Sequence, residues 1–196
     1  YTDVWNTLED NYKEEWEKNS NWLKVGYHSL NADDNAATSN YATNKSNYTT
    51  FVENVLRICG TNRIIDRVPR LQNYAGIIYG IPGFIDAPCG IIGFLDADDD
   101  RQSYLHNYNT KIWRELHYEY YDSLLNIHFI KTNFRLENIT DIDTELNNIL
   151  NTTNSTNRNI EIFTHEWWMY DGTTVTNSNI LERCCSWGVE NNIPFN

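Results

Sequence analysis

The chain is poor in basic residues and in long apolar runs, and these two shortages exclude several function classes before any motif is considered. Lys and Arg number 15 against 27 Asp and Glu, a net charge of -12. A surface of that sign repels phosphate backbones and anionic lipid, so nucleic acid is not an expected partner. No apolar stretch approaches the roughly 20 residues of a membrane span, and no transmembrane segment is expected. The four cysteines, Cys59, Cys89, Cys184 and Cys185, lack any C-x-x-C spacing. That argues against a zinc knuckle or a disulfide framework and for buried thiols. Internal repeats and low-complexity linkers are absent as well. The first residue is Tyr1 and no charged-then-apolar leader follows it, so localisation is not legible. The chain reads as a mature form, an excised domain or a truncated one.

What is present points to one globular domain spanning residues 1–196: 40% hydrophobic and 14% aromatic content is enough to bury a core. Asn occurs 28 times, so sequons such as Asn138-Ile-Thr arise from abundance and are not read as glycosylation. Trp5, Leu8, Tyr12 and Trp16 recur at helical spacing and predict a helix from Asp3 to Lys18 with one buried side. A β-prone run from Trp22 to Ser29 follows, then a polar loop over 31–40 and a helix over 48–58 stopped near Gly60. Pro69 limits the 66–72 run to an edge strand or its first residues, and Gly and Pro punctuate 76–90. Further strands are expected at 91–95, 126–134 and 160–163, and helices at 141–150 and 180–189. Alternation of this kind predicts an α/β fold of parallel βαβ units.

The strand runs share one design, an apolar stretch that discharges into charge. Ile160-Glu-Ile-Phe-Thr-His165-Glu166-Trp167-Trp168 is the clearest case. In parallel sheets and barrels the carboxyl ends of the strands are where ligands bind. His28, Arg70, Asp98, Asp99, Arg135, Glu137, His165 and Glu166 would gather at that rim. Imidazole and carboxylates arriving from separate strands suit a divalent metal or an acid/base set, with Glu166 or one of Asp98 and Asp99 as base. Tyr27, Trp167 and Trp168 would form an aromatic wall for a sugar ring. The plainer alternative makes His165 a strand cap, the tryptophans core closure, 96–100 a solvated acidic loop, and Arg135 with Glu137 a structural ion pair.

The order Trp22-Leu-Lys-Val-Gly-Tyr-His28, Val68-Pro-Arg70-Leu, Gly93-Phe-Leu-Asp-Ala-Asp-Asp-Asp-Arg101 with Ser103-Tyr104, Thr132-Asn-Phe-Arg-Leu-Glu137 and Ile162-Phe-Thr-His-Glu-Trp167 resembles a divergent branch of the polysaccharide deacetylase (NodB-like) superfamily. The likeness runs over nearly the whole chain. It implies a distorted (β/α) barrel, here incomplete at its start, a divalent metal that is often zinc, and hydrolysis of N- or O-acetyl groups on carbohydrate. By that resemblance His28 matches the first metal histidine, Arg70 the motif arginine, and His165 the late-strand histidine that assists the leaving group. The chain also departs from the pattern. No strand bearing the family's aspartate pair precedes the helix at Asp3, so the domain is expected to be truncated at its N-terminus. The place of the second metal histidine is Ala32, flanked by Asn31, Asp33 and Asp34 as substitutes, and Gln72 stands where close relatives carry histidine. Carbohydrate is therefore the expected partner. The two expectations are a metal-dependent acetyl hydrolase and, alternatively, a carbohydrate-binding domain without catalysis. A scaffold using the acidic surface is a third. On either of the first two, His28 and His165 should share one cleft, while Arg70 and Arg135 should hold carboxylates of the Asp98, Asp99 and Glu166 set.

Overall fold

A computed structural model describes residues 2–30, 36–74, 76–98, 119–153, 159–170 and 177–194. The elements in chain order are α1 (Thr2–Thr7), α2 (Lys13–Asn19), β1 (Val25–Gly26), α3 (Tyr41–Cys59), β2 (Ile65–Asp66), α4 (Ile81–Ile85) and β3 (Gly93–Asp96). They continue with β4 (Glu119–Asp122), β5 (Ile127–Lys131), β6 (Phe134–Arg135), α5 (Ile142–Thr153), β7 (Ile162–Phe163), α6 (Glu166–Met169) and α7 (Ser178–Glu190).

The expected first helix is two. The Arg57 guanidinium bonds the carbonyls of Trp5 and Leu8, taking up the end of α1. The interruption before α2 leaves Leu8 45% and Tyr12 63% exposed, while Trp5 and Trp16 still pack on the core. Helix α3 begins at Tyr41, well before the expected start at 48, because the Asn40 side chain accepts the Thr43 N–H at 3.0 Å and caps it. It ends where Gly60 adopts φ +74, a conformation glycine takes without steric cost. Tyr48, Phe51, Val52, Val55 and Ile58 line its buried face.

The described strands form three small sheets, β1-β2, β3-β5-β4 and β6-β7. Three pairings, β1 with β2, β3 with β5 and β6 with β7, are parallel, as the alternation of elements predicts. The β4–β5 pair is antiparallel and departs from the purely parallel expectation. A tight turn over 123–126 links the two: the Asp122 carboxylate accepts the Leu124 N–H at 2.8 Å, and Asn126 takes φ 54. Backbone hydrogen bonds run on beyond the assigned strands. The N–H groups of Ile92 and Leu95 reach the carbonyls of Arg67 and Pro69 at 2.9 and 3.2 Å, so the chain after β2 lies along β3. The Gln72 N–H reaches the His28 carbonyl at 3.2 Å, and the Asn133 N–H the Glu161 carbonyl at 2.8 Å. At Gly93 a Cβ would stand 2.5 Å from the His128 carbonyl oxygen, so β3 and β5 approach this closely only with glycine there.

Two cores result. The larger packs Tyr27, Tyr48, Phe51, Phe84, Phe94 and Phe129 ring against ring among α3, α4, β3 and β5. The smaller joins Phe134, Leu136, Leu146, Ile149, Cys184 and Trp187 among β6, α5 and α7. No helix among the described residues is long and apolar enough to cross a membrane.

Candidate functional site at the strand ends

Leu136, 1% exposed, plunges into the smaller core, and its neighbours on either side turn away from it toward the ends of β6 and β7. Arg135 then meets Asp98, which follows β3. Its Nε donates to Oδ1 at 2.8 Å, a terminal nitrogen lies 2.7 Å from the same oxygen, and both side chains are largely buried. Asn138 Nδ2 adds a contact to Asp98 Oδ2 at 3.5 Å. Glu137 meets His165 instead: its Oε1 holds His165 Nδ1. The Arg135–Glu137 ion pair considered from sequence is thus replaced by two crossed pairs, and Asp98 is held by Arg135 as expected.

The Glu137 side chain is only 8% exposed, and its second oxygen, Oε2, is buried with no hydrogen-bond partner. A buried carboxylate oxygen without a partner is costly. His165 retains 30% exposure, so the carboxylate secures one ring nitrogen while the imidazole still reaches the surface. A carboxylate on Nδ1 sets the tautomer and leaves Nε2 for exchange of a proton with a ligand. Trp167, 60% exposed, stacks on the same ring with centroids 5.5 Å apart and planes at 22°.

On the far side of Phe163, whose ring meets His165 edge-on at 4.6 Å, lies Arg70. Its guanidinium sits over Phe163 at 4.5 Å and over Tyr74 at 5.2 Å, within cation–π range of both. Asn73 and Tyr74 take φ 55 and 52, a tight turn that brings the Tyr74 ring to Arg70. Burial pushes the Tyr74 phenol up, with the Asp98 charge adding to it against the contrary pull of Thr132 and Arg70. Arg70 also lies 3.3 and 3.4 Å from the two ring nitrogens of His28, whose Nδ1 is 3.1 Å from the Arg70 carbonyl oxygen. His28 and His165 therefore belong to one neighbourhood, bridged by Arg70 and Phe163. The expected grip of Arg70 on a carboxylate gives way to ring stacking among the described residues.

Other expected members fall elsewhere. Tyr27 is 5% exposed and packs against Tyr48, Phe51 and Phe84, so it belongs to the core and not to an aromatic wall. Its neighbour His28 turns to the opposite side, as alternation along an extended chain requires. Trp168 is half-buried against the smaller core, which leaves Trp167 as the exposed aromatic face beside His165. Asp99, Asn31, Ala32, Asp33 and Asp34 lie outside the described residues, and of Glu166 only the backbone is described, opening α6. Sequence reasoning undervalued Glu137, although the Arg135-Leu136-Glu137 alternation carried the signal.

The resemblance implies a divalent metal with His28 as its first ligand. Among the described residues no three His, Cys, Asp or Glu side chains come together as a metal would need. A cation on His28 would also face the Arg70 guanidinium at close range, an unfavourable pairing of like charge. Among the described residues the donors do not fit the metal.

Among known protein families, curated proteins and solved structures, none matches this chain.

Proposed function

We propose that this chain acts on acetylated carbohydrate as a polysaccharide-deacetylase-like hydrolase, with His165, held by Glu137, as its general acid and Asp98 as its base. The observation that carries the reading is the Glu137 carboxylate on His165 Nδ1, beside the exposed Trp167 ring, at the carboxyl end of β7. The sugar packs an apolar face on Trp167. Water adds to the acetyl carbonyl, with Asp98, oriented by Arg135, receiving its proton. As the acyl bond to the sugar oxygen or nitrogen breaks, His165 Nε2 supplies a proton to the leaving atom and acetate departs. Glu137 acts through His165 by holding the ring in place through Nδ1.

The test is acetate release from an acetylated chito-oligosaccharide. Exchange of a general acid typically costs about 10²–10⁴-fold, and His165→Ala is expected to lose that much. Glu137→Gln should lose less and shift the pH profile, which a merely structural role would not move. Turnover by His165→Ala at the rate of the unaltered chain would sink the reading.

A second reading, carbohydrate binding without turnover, is favoured by the guanidinium of Arg70 against both nitrogens of His28. It expects sugar to bind with no acetate released at any metal supplement, and Trp167→Ala to weaken binding by about 1 kcal/mol.

A further inference from the structure

The other described arginines give their N–H groups to protein oxygens. Arg63, Arg135 and Arg183 meet carboxylates, while Arg57 and Arg67 donate to backbone carbonyls. Arg70 differs: it is half-buried, and no carboxylate among the described residues pairs with it. Asp98, whose charge reaches the neighbouring Tyr74, is already taken by Arg135. The Arg70 guanidinium lies instead over the Phe163 ring at 4.5 Å and the Tyr74 ring at 5.2 Å, contacts that use its charge without neutralising it. His28 steadies it further. In the tautomer with its proton on Nδ1, His28 donates to the Arg70 carbonyl at 3.1 Å and accepts from Arg70 Nη2 at Nε2, 3.4 Å away. In a chain of net charge -12, a half-buried cation held in place without a counter-ion is ready for an anion from outside.

We infer that Arg70 receives a carboxylate of the substrate, so that the carbohydrate taken at the strand ends is an acidic one, with a uronate beside its acetylated residue. This rests on the carbohydrate reading above and names the class of sugar. The planar fork of an arginine matches a carboxylate through two parallel N–H···O bonds, and a guanidinium already fixed by two rings and an imidazole loses little freedom on binding. Phe163 is the wall the two parts share, its ring 4.5 Å from the Arg70 guanidinium and 4.6 Å from the His165 ring. A saccharide with its acetylated residue at His165 and Trp167 brings the next residue's carboxylate to Arg70. The acidic surface repels densely charged anions, which favours isolated carboxylates on an otherwise neutral sugar.

Cellobiouronate, a glucuronate joined to glucose, and cellobiose, its uncharged counterpart, test this on the full chain by calorimetry. The acid is expected to bind at least about tenfold tighter than cellobiose, the effect of one charge-assisted pair, and acetate at least about tenfold more weakly than the acid. Arg70→Gln should abolish the preference, and Arg70→Lys should keep part of it as charge without the fork. Arg183→Gln, which removes an equal charge from α7, should leave it whole. Binding needs no turnover, so a chain that prefers the acid but releases no acetate counts against the hydrolase reading and not against this one. Equal binding of cellobiouronate and cellobiose by the unaltered chain, binding of neither, or a preference that survives Arg70→Gln would overturn the inference. Acetate bound as tightly as cellobiouronate would assign Arg70 to the released product and overturn it as well.

Discussion

The two cores differ in completeness. In the larger one Tyr48, Phe84, Phe94, Phe129, Ile64, Leu71 and Ile81 are at most 1% exposed, and adjacent rings meet at tilted or edge-on angles. In the smaller one only Leu136 and Leu146 are buried to that degree, and Ile160, Ile162 and Trp168 pack half-buried around them. The buried polar atoms without partners at Glu137 Oε2 and Trp187 Nε1 also belong to the smaller region, as does a pocket of about 540 Å³ between β7 and α7. A close-packed interior resists deformation and offers no room for chemistry. The region that keeps its polar groups unsatisfied is the one equipped to meet a ligand, and lower local stability accompanies that arrangement.

The sharpest way to break this contrast is truncation in each core. Phe94→Ala should cost about 3–5 kcal/mol in urea unfolding, because its ring sits between Phe84 and Phe129 with nothing free to fill the void. Leu146→Ala should cost about 2–3 kcal/mol, since half-buried neighbours can close over the gap. Equal losses would mean that the two cores are packed alike.

A somewhat smaller effect separates the regions by pH. The Glu161 carboxyl rises from its ordinary 4.5 to about 7 on folding. The folded state therefore holds the proton more tightly, so the contribution is fully present below pH 4.5 and is lost as pH rises through about 7. On the linkage relation the difference amounts to up to about 3 kcal/mol, and Glu161→Gln should remove that decline, leaving a flatter stability profile between pH 5 and 8. A variant with the same slope as the unaltered chain would place the pH dependence elsewhere. Smallest is the cap of α3 in the larger core. Asn40→Ala should lower stability by about 1 kcal/mol, read as a lower urea midpoint at unchanged slope. A loss well above about 2 kcal/mol would show that Asn40 does more than cap the helix.

Much of the rim was legible because an apolar run that stops in His, Arg or Asp has few places to go. The runs ending at His28, Arg70, Asp98 and His165 were recognisable by composition alone, and so were α5 and α7 within a few residues. Less legible was the start of α3, since the polar 41–47 stretch reads as loop until Asn40 is seen as a cap. The amphipathic spacing of Leu8 and Tyr12 misled for a related reason. Periodicity assigns a face to a helix, but the break between α1 and α2, with Arg57 from α3 bonded at its start, turns those two residues to solvent.

The sequence by itself determined the charge balance, the alternation of elements and which residues leave the strands for a rim, because hydrophobic periodicity and turn chemistry act over a few neighbouring positions. Only the tertiary structure decided who meets whom there. Asp98 and Arg135 stand 37 residues apart, and Glu137 and His165 stand 28 apart. Their pairing depends on how β3, β5, β6 and β7 register against one another. Among the described residues Arg70 meets the rings of Phe163 and Tyr74, and Tyr27 joins the core, by the same rule: a side chain's local pattern gives its direction, while the packing of distant strands supplies the partner it finds.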